Sequence, residues 1–250
     1  MEVITTGKNI FESFFEGIYY IRNFKKFDSD IHLLVCFHGN SSTSLTFVKI
    51  LEGLIGKVQC IAVDLPGCGK SKWLENYTMS IVGQIMTNLI NSFQSPKVYL
   101  FGHSLGGHLL AFIDVKISGI AVAGTPFLSS ANDFPFAFKP DQEVLELIPF
   151  LSKKTAFTLD EARKFVSHTG VTGETLEIMI SSAIQTDGKF RKGCLSTLTS
   201  VNQKEQIESM KNVVIFHAEN DGVINPEYLE TIKKDCLFEQ KIHYLPGKHM

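Results

Sequence analysis

The segment YLFGHSLGGHLLAF at 99–112 puts Ser104 between Gly102 and Gly106, a G-x-S-x-G pattern joining a strand-like run to a helical one. A serine hydroxyl attacks a carbonyl only if it is held where a base can take its proton. A strand that turns sharply into a helix holds it there. Flanking glycines leave room for strained backbone, and the Leu105 amide, near the helix start, points toward any oxyanion formed at the serine. A chance glycine-rich turn would also carry the pattern; strand before, helix after and a further glycine at Gly107 favour the nucleophile.

Such a serine needs a base and a group to orient that base. Asp221 and Gly222 follow the strand-like run Val213 to His217, which puts Asp221 at the carboxyl end of a strand, where ligands bind in parallel sheets. His249 follows the last run, Lys241 to Leu245, and is the better base, because His243 and His217 lie within their strands. Asp133 and Asp141 are weaker candidates for the acid, and a helix-capping turn is the plainer reading of Asp221. Upstream, LLVCFHGNSSTS ends a strand in His38-Gly39. A second oxyanion amide is expected from that loop, with Asn40 the candidate and Ser41 second, because Gly39 lets backbone approach a substrate closely. His38 is expected to brace the loop. Gly69-Lys70-Ser71 resembles the end of a phosphate-binding loop, but the pattern requires glycine at 64 and meets Asp64, so nucleotide binding is not expected.

These residues must be carried by strands and helices in alternation. Apolar runs at Gly17 to Phe24, His32 to Phe37, Val58 to Val63, Lys97 to Phe101, Ile117 to Ala123, Val213 to His217 and Lys241 to Leu245 read as strands. Ser44 to Ile55 and Ser80 to Phe93 read as amphipathic helices between them. The alternation specifies an α/β protein with a parallel sheet. It breaks between Leu128 and about Ser200, where helical segments occur around Glu143 to Leu151, Leu159 to His168 and Thr175 to Ile184. That stretch is expected to be a helical insertion with an apolar lining, since eight phenylalanines fall between Phe127 and Phe190. Packing of helices against the sheet explains those rings about equally well.

The 250 residues, 44% hydrophobic and 20% charged with a net charge of −2, describe an ordinary globular chain. Lys25-Lys26, Lys153-Lys154 and Lys233-Lys234 are isolated pairs rather than a stripe, which gives no footprint for nucleic acid. No apolar stretch approaches the roughly 20 residues needed to span a bilayer, and no export signal is visible at the amino terminus. Cys36, Cys60, Cys68, Cys194 and Cys236 form no C-x-x-C pair, so neither a disulfide framework nor a zinc site is expected, and a cytoplasmic location is.

Taken in order, HGN at 38–40, DLPGCGKS at 64–71, GHSLGG at 102–107, the Asp221 turn and GKH at 247–249 resemble the α/β-hydrolase fold superfamily over nearly the whole chain. The resemblance implies an eight-stranded, mostly parallel sheet flanked by helices. It also implies a helical lid after the sixth strand, hence a core of 1–127 and 201–250 and a lid of 128–200. Ser104, His249 and Asp221 would then form a triad, with Asn40 and Leu105 supplying the oxyanion amides. The expected activity is a serine hydrolase acting on an ester or thioester of a small to medium acyl compound, without cofactor or metal. Carbon–carbon bond hydrolysis, acyl transfer, synthase-like elimination or a slow-turnover ligand receptor are the alternatives on the same fold. Serine at 104 argues against haloalkane dehalogenases and soluble epoxide hydrolases, which carry aspartate there. Relatives continue with a helix after the histidine, whereas this sequence stops one residue beyond His249. A clipped chain is therefore expected to be less active and more aggregation-prone than one extended by some 15 residues.

Overall fold

In the computed structural model, residues 9–167 and 169–249 are described. Eight strands form one sheet in the order β1-β2-β4-β3-β5-β6-β7-β8. They are β1 (Phe11–Phe15), β2 (Ile18–Arg22), β3 (Leu33–Phe37), β4 (Gln59–Val63), β5 (Val98–His103), β6 (Gly119–Ala123), β7 (Val214–Ala218) and β8 (His243–Leu245). β1 and β2 pair antiparallel, β2 meets β4 antiparallel, and β3 to β8 run parallel.

The strand pleat sorts apolar side chains to two faces. Leu33, Val35 and Phe37 of β3, with Ile61 and Val63 of β4, enter the main core beside Val82, Met86 and Leu89 of helix α2 (Met79–Ser92). The alternate residues Cys36, Cys60 and Ala62 face a second cluster with Ile10, Tyr19, Phe47 and Leu51. Burial on both faces is why β4 reads as an unbroken apolar run.

The sequence pattern misses β1. FESFF places Glu12 inside the run, and Phe14 of this edge strand is 61% exposed, so no continuous or clean alternating signal exists. The single helix expected over Ser44 to Ile55 is a 3₁₀ turn, Ser44–Phe47, followed by α1, Val48–Gly53. Asp64 fixes the start of that turn, its Oδ1 accepting the Ser44 amide at 2.7 Å.

After β5 come α3 (Leu105–Leu109) and β6, then α4 (Phe134–Ala137), α5 (Gln142–Leu151), α6 (Leu159–Ser167), α7 (Gly173–Gln185) and α8 (Gly188–Ser196). Thr158 and Glu161 open α6 reciprocally, the Glu161 amide donating to Thr158 Oγ1 at 3.3 Å and the Thr158 amide to Glu161 Oε2 at 2.8 Å. Leu147, Phe157, Phe165, Val166, Met179 and Ile180 gather α5, α6 and α7 around a core of their own. Phe190 and Cys194 of α8 instead join the main core. Two short helices, α9 (Gln203–Glu208) and α10 (Pro226–Leu229), complete the described chain.

The parallel register brings the functional loops to one sheet edge. Phe37 lies beside Gly102, His103 beside Ala123, Ala123 beside Phe216, and Ala218 beside Leu245. The segments that follow these strands, at 38–41, 104, 124–126, 219–222 and 246–249, therefore emerge together.

Candidate active site

Ser104 has φ +50° and ψ −118°, a strained conformation between β5 and α3. The strain is held by close packing that tolerates no side chain nearby. A Cβ on Gly102 would lie 2.5 Å from the Gly106 carbonyl oxygen, and one on Gly106 2.2 Å from the Phe37 carbonyl oxygen. The Ser104 amide donates to the Ala123 carbonyl at 2.9 Å, and Thr125 Oγ1 donates to the Ser104 carbonyl at 3.0 Å, fixing the turn against the adjacent strand end.

His249 Nε2 lies 3.3 Å from Ser104 Oγ, and its Nδ1 lies 2.9 Å from Asp221 Oδ2. The other carboxylate oxygen of Asp221 accepts the amides of Val223 at 2.7 Å and Ile224 at 3.0 Å. Burial raises the Asp221 pKa, but the hydrogen bond and charge of His249 and these two amides outweigh it and bring it down to about 2. Asp221 is thus a carboxylate at neutral pH. Nδ1–H of His249 donates to it, leaving Nε2 as the acceptor for the Ser104 hydroxyl. Gly124 makes room for the ring, since a Cβ there would come within 2.9 Å of His249 Cε1.

The loop after β3 is secured by its own polar groups. The Leu65 amide donates to His38 Nε2 at 3.0 Å, so Nδ1 carries the proton and donates to the Gly39 carbonyl at 2.8 Å. Burial lowers the His38 pKa. Asn40 Nδ2 donates to the Leu151 carbonyl at the end of α5, 2.9 Å away, and Ser41 follows with φ +56°. Leu105 opens α3, so its amide is among the first-turn donors that have no acceptor within the helix. The phosphate-loop look-alike is filled by a carboxylate of the chain itself. Asp64 Oδ2 accepts the Lys70 amide at 2.8 Å, and Ser71 Oγ donates to the Asp64 carbonyl.

Ser104, His249, Asn40 and Leu105 line one cavity of about 610 Å³. Its walls are chiefly apolar, from Phe134, Phe138, Leu147, Leu151, Phe165 and Met179. Of the alternative acids, Asp133 is engaged elsewhere, its Oδ2 accepting from the Ser129 hydroxyl at 2.7 Å and the Tyr228 hydroxyl at 2.9 Å. Asp141 is an exposed residue before α5. His217 Nδ1 sits 3.9 Å from Asp221 Oδ2, too far for a hydrogen bond, and among the described residues this buried nitrogen has no hydrogen-bond partner. His243 packs against Phe216 and Phe238 within the sheet edge.

A sequence profile described as alpha/beta hydrolase fold matches residues 32–250. The chain belongs to the alpha/beta hydrolase fold family. Within curated proteins, this alpha/beta hydrolase is 33% identical over 78 residues to the uncharacterized hydrolase YugF of Bacillus subtilis, covering 30% of this chain and 29% of that protein. It is 26% identical over 105 residues to Protein PHYLLO, chloroplastic, of Arabidopsis thaliana, covering 36% of this chain and 6% of that one. These alignments span under a third of either relative's length. Among solved structures, the N-acyl homoserine lactonase AidH complexed with N-butanoyl homoserine is similar at a TM-score of 0.80 and 22% identity, over 97% of this chain and 90% of that one. Bromoperoxidase from Bacillus anthracis is similar at 0.76 and 20% identity, over 96% and 89%. At these identities the likeness concerns the fold.

Two residues of this alpha/beta hydrolase lie at the site without having been singled out from sequence. His103 Nε2 is 2.8 Å from the His249 carbonyl, and Lys139 Nζ donates to the Asp221 carbonyl at 2.6 Å. The signal for His103 was its place in GHSLGG; Lys139 had none, because its contact is 82 residues away. Among the described residues, no helix is long and apolar enough to cross a membrane.

Proposed function

We propose that this protein is a serine hydrolase that cleaves a carboxylic ester or thioester through a covalent acyl-enzyme. The observation that carries the proposal is the continuous contact from Ser104 Oγ through His249 to Asp221, at the end of an apolar cavity. Ser104 Oγ bonds to the substrate carbonyl carbon while its proton passes to His249 Nε2. Asp221 stabilises the imidazolium that results. The amides of Leu105 and Asn40 hold the tetrahedral oxyanion, each donor in such a hole being worth roughly 10²–10³ in rate. The C–O or C–S bond then breaks, and His249 returns the proton to the departing alcohol or thiol. Water, deprotonated by His249, attacks the acyl-enzyme, and collapse of the second tetrahedral adduct releases the acid and restores Ser104. The residues present do this without a cofactor.

Residues 128–200 serve in this reading as a lid over a core of 1–127 and 201–250, their helices closing the acyl side of the cavity. The five buried thiols suit a reducing compartment and so support a cytoplasmic protein acting on small molecules. Turnover of a chromogenic short-chain ester tests the reading. Release of many equivalents of alcohol per protein, reduced by on the order of 10⁶ in Ser104→Ala, is expected. A burst of a single equivalent or less would make the chain a receptor instead.

A further inference from the structure

His108 lies beside the nucleophile and has no part in the proton relay. Its amide donates to the Ser104 carbonyl at 3.3 Å, which sets it one turn along α3, roughly 5.4 Å in axial rise. The side chain is 4% exposed and lines the same cavity as Ser104.

The tautomer of this imidazole follows from its neighbour. Gln203, fully buried, donates through Nε2 to the Leu198 carbonyl at 2.6 Å, so its Oε1 is the atom that faces His108. The Leu128 amide donates to that same oxygen at 3.4 Å, which agrees with the assignment. His108 Nδ1, 2.7 Å from Oε1, must therefore be the protonated nitrogen, and Nε2 carries the lone pair. Among the described residues no hydrogen bond to Nε2 is found, and the residue lines the cavity. Burial, opposed by the bond to Gln203, lowers the His108 pKa to about 4, so the ring is neutral at neutral pH. Ser42 also lines the cavity, and its buried Oγ has no hydrogen-bond partner among the described residues.

An acceptor on an otherwise apolar wall loses its water when a ligand fills the cavity, a cost that a complementary donor on the ligand recovers. We infer that His108 Nε2 is a specificity-determining acceptor and that the preferred substrates are acyl compounds bearing a hydroxyl on the acyl chain. Because the His108 amide bonds back to the Ser104 carbonyl, the ring is one turn from the nucleophile, and a hydroxyl near the carbonyl end of the acyl chain is the donor expected. A 3-hydroxyacyl ester or thioester meets this requirement, whereas a plain fatty acyl group leaves Nε2 unpaired. The inference rests on the reading of Ser104 as the nucleophile, because that residue sets where the carbonyl lies.

Binding separates the two claims. Ser104→Ala protein, with His108 intact, is titrated calorimetrically with methyl 3-hydroxyhexanoate and with methyl hexanoate. The hydroxylated ester is expected to bind about 3- to 10-fold more tightly. The preference is expected to vanish in Ser104→Ala/His108→Phe and to persist in part in Ser104→Ala/His108→Gln, whose amide oxygen can accept the same bond. Equal affinities in Ser104→Ala would overturn the inference whether or not the double variants fold, as would a preference that survives His108→Phe. Wild-type turnover of the two esters is recorded separately. Absence of turnover together with a retained binding preference would sink the hydrolase reading and leave the acceptor assignment standing.

Discussion

His103 Nε2 lies 2.8 Å from the backbone carbonyl of His249, so the residue next to Ser104 in sequence anchors the loop whose imidazole faces Ser104. The two rings are 5.4 Å apart. Burial, reinforced by the nearby His249, lowers the His103 pKa to about 4, which keeps the ring neutral with Nε2–H as its donor. His103→Phe fills the space and removes this hydrogen bond, at a cost of about 1 kcal/mol. Turnover is expected to fall by roughly 10- to 100-fold, chiefly in kcat, as measured by steady-state ester hydrolysis. Unchanged kcat would mean that the His249 loop is held by other contacts, such as the Asn220 amide on the Gly247 carbonyl at 3.0 Å.

Arg191 is fully buried, and its guanidinium joins segments distant in sequence. Nε donates to the Lys153 carbonyl at 3.0 Å, Nη2 to the Thr155 carbonyl at 2.6 Å, and Nη1 to the Ser41 hydroxyl at 3.3 Å, with the plane 4.0 Å from the Phe157 ring centroid. Lysine cannot reproduce this fork. Arg191→Met is expected to lower unfolding free energy by about 3 kcal/mol or more, through the carbonyls left unpaired, as read from urea denaturation. Because Ser41 follows Asn40 directly, kcat is expected to fall as well. A stable, fully active Arg191→Met would show that the network is dispensable.

Arg191 marks where sequence reading stops. Its partners at 41, 153 and 155 acquire meaning only once the chain is folded, and no local pattern announces them. The strand–serine–helix passage was legible because G-x-S-x-G, apolar run and helical spacing lie within 14 residues. Seven of the strands announce themselves as apolar runs, whereas β1 is hidden by Glu12 and by its exposed edge position. The phenylalanines of 127–190 divide between both readings offered for them. Phe134 and Phe138 stack at 5.7 Å and line the cavity, Phe127 and Phe190 belong to the main core, and Phe136 is 66% exposed. His249 and Asp221 could be chosen from their places after strands, but the hydrogen bonds that engage Asp133 elsewhere and the 3.9 Å gap between His217 Nδ1 and Asp221 Oδ2 are visible only in three dimensions.

Acid should destabilise the protein in two stages. His103 and His108 hold folded pKa values of about 4, principally through burial, against an ordinary 6.5. The unfolded chain therefore takes up protons first, and stability declines as pH falls from about 6.5 toward 4. The Asp221 value of about 2, against 3.8, adds stability that is present above pH 3.8 and lost as pH falls toward 2. Thermal unfolding followed from pH 7 to 4 is expected to lose on the order of a few kcal/mol. A flat profile over that range would contradict neutral burial of the two histidines.

The cavity also bears on acyl length. Each methylene transferred to an apolar wall contributes about 0.8 kcal/mol, so kcat/KM for p-nitrophenyl esters is expected to rise from acetyl toward hexanoyl or octanoyl. The walls of Phe134, Phe138, Leu147 and Met179 provide that surface. Rates indifferent to length across this series would remove the acyl chain from the cavity.

The assignment of Ser104 as the nucleophile is tested most directly by labelling with a fluorophosphonate and locating the adduct by peptide mass spectrometry. One equivalent is expected on the peptide containing Ser104, with labelling abolished in Ser104→Ala and slowed by several orders of magnitude in His249→Ala. An adduct on a different serine, or an unlabelled protein that nevertheless hydrolyses esters, would contradict the account.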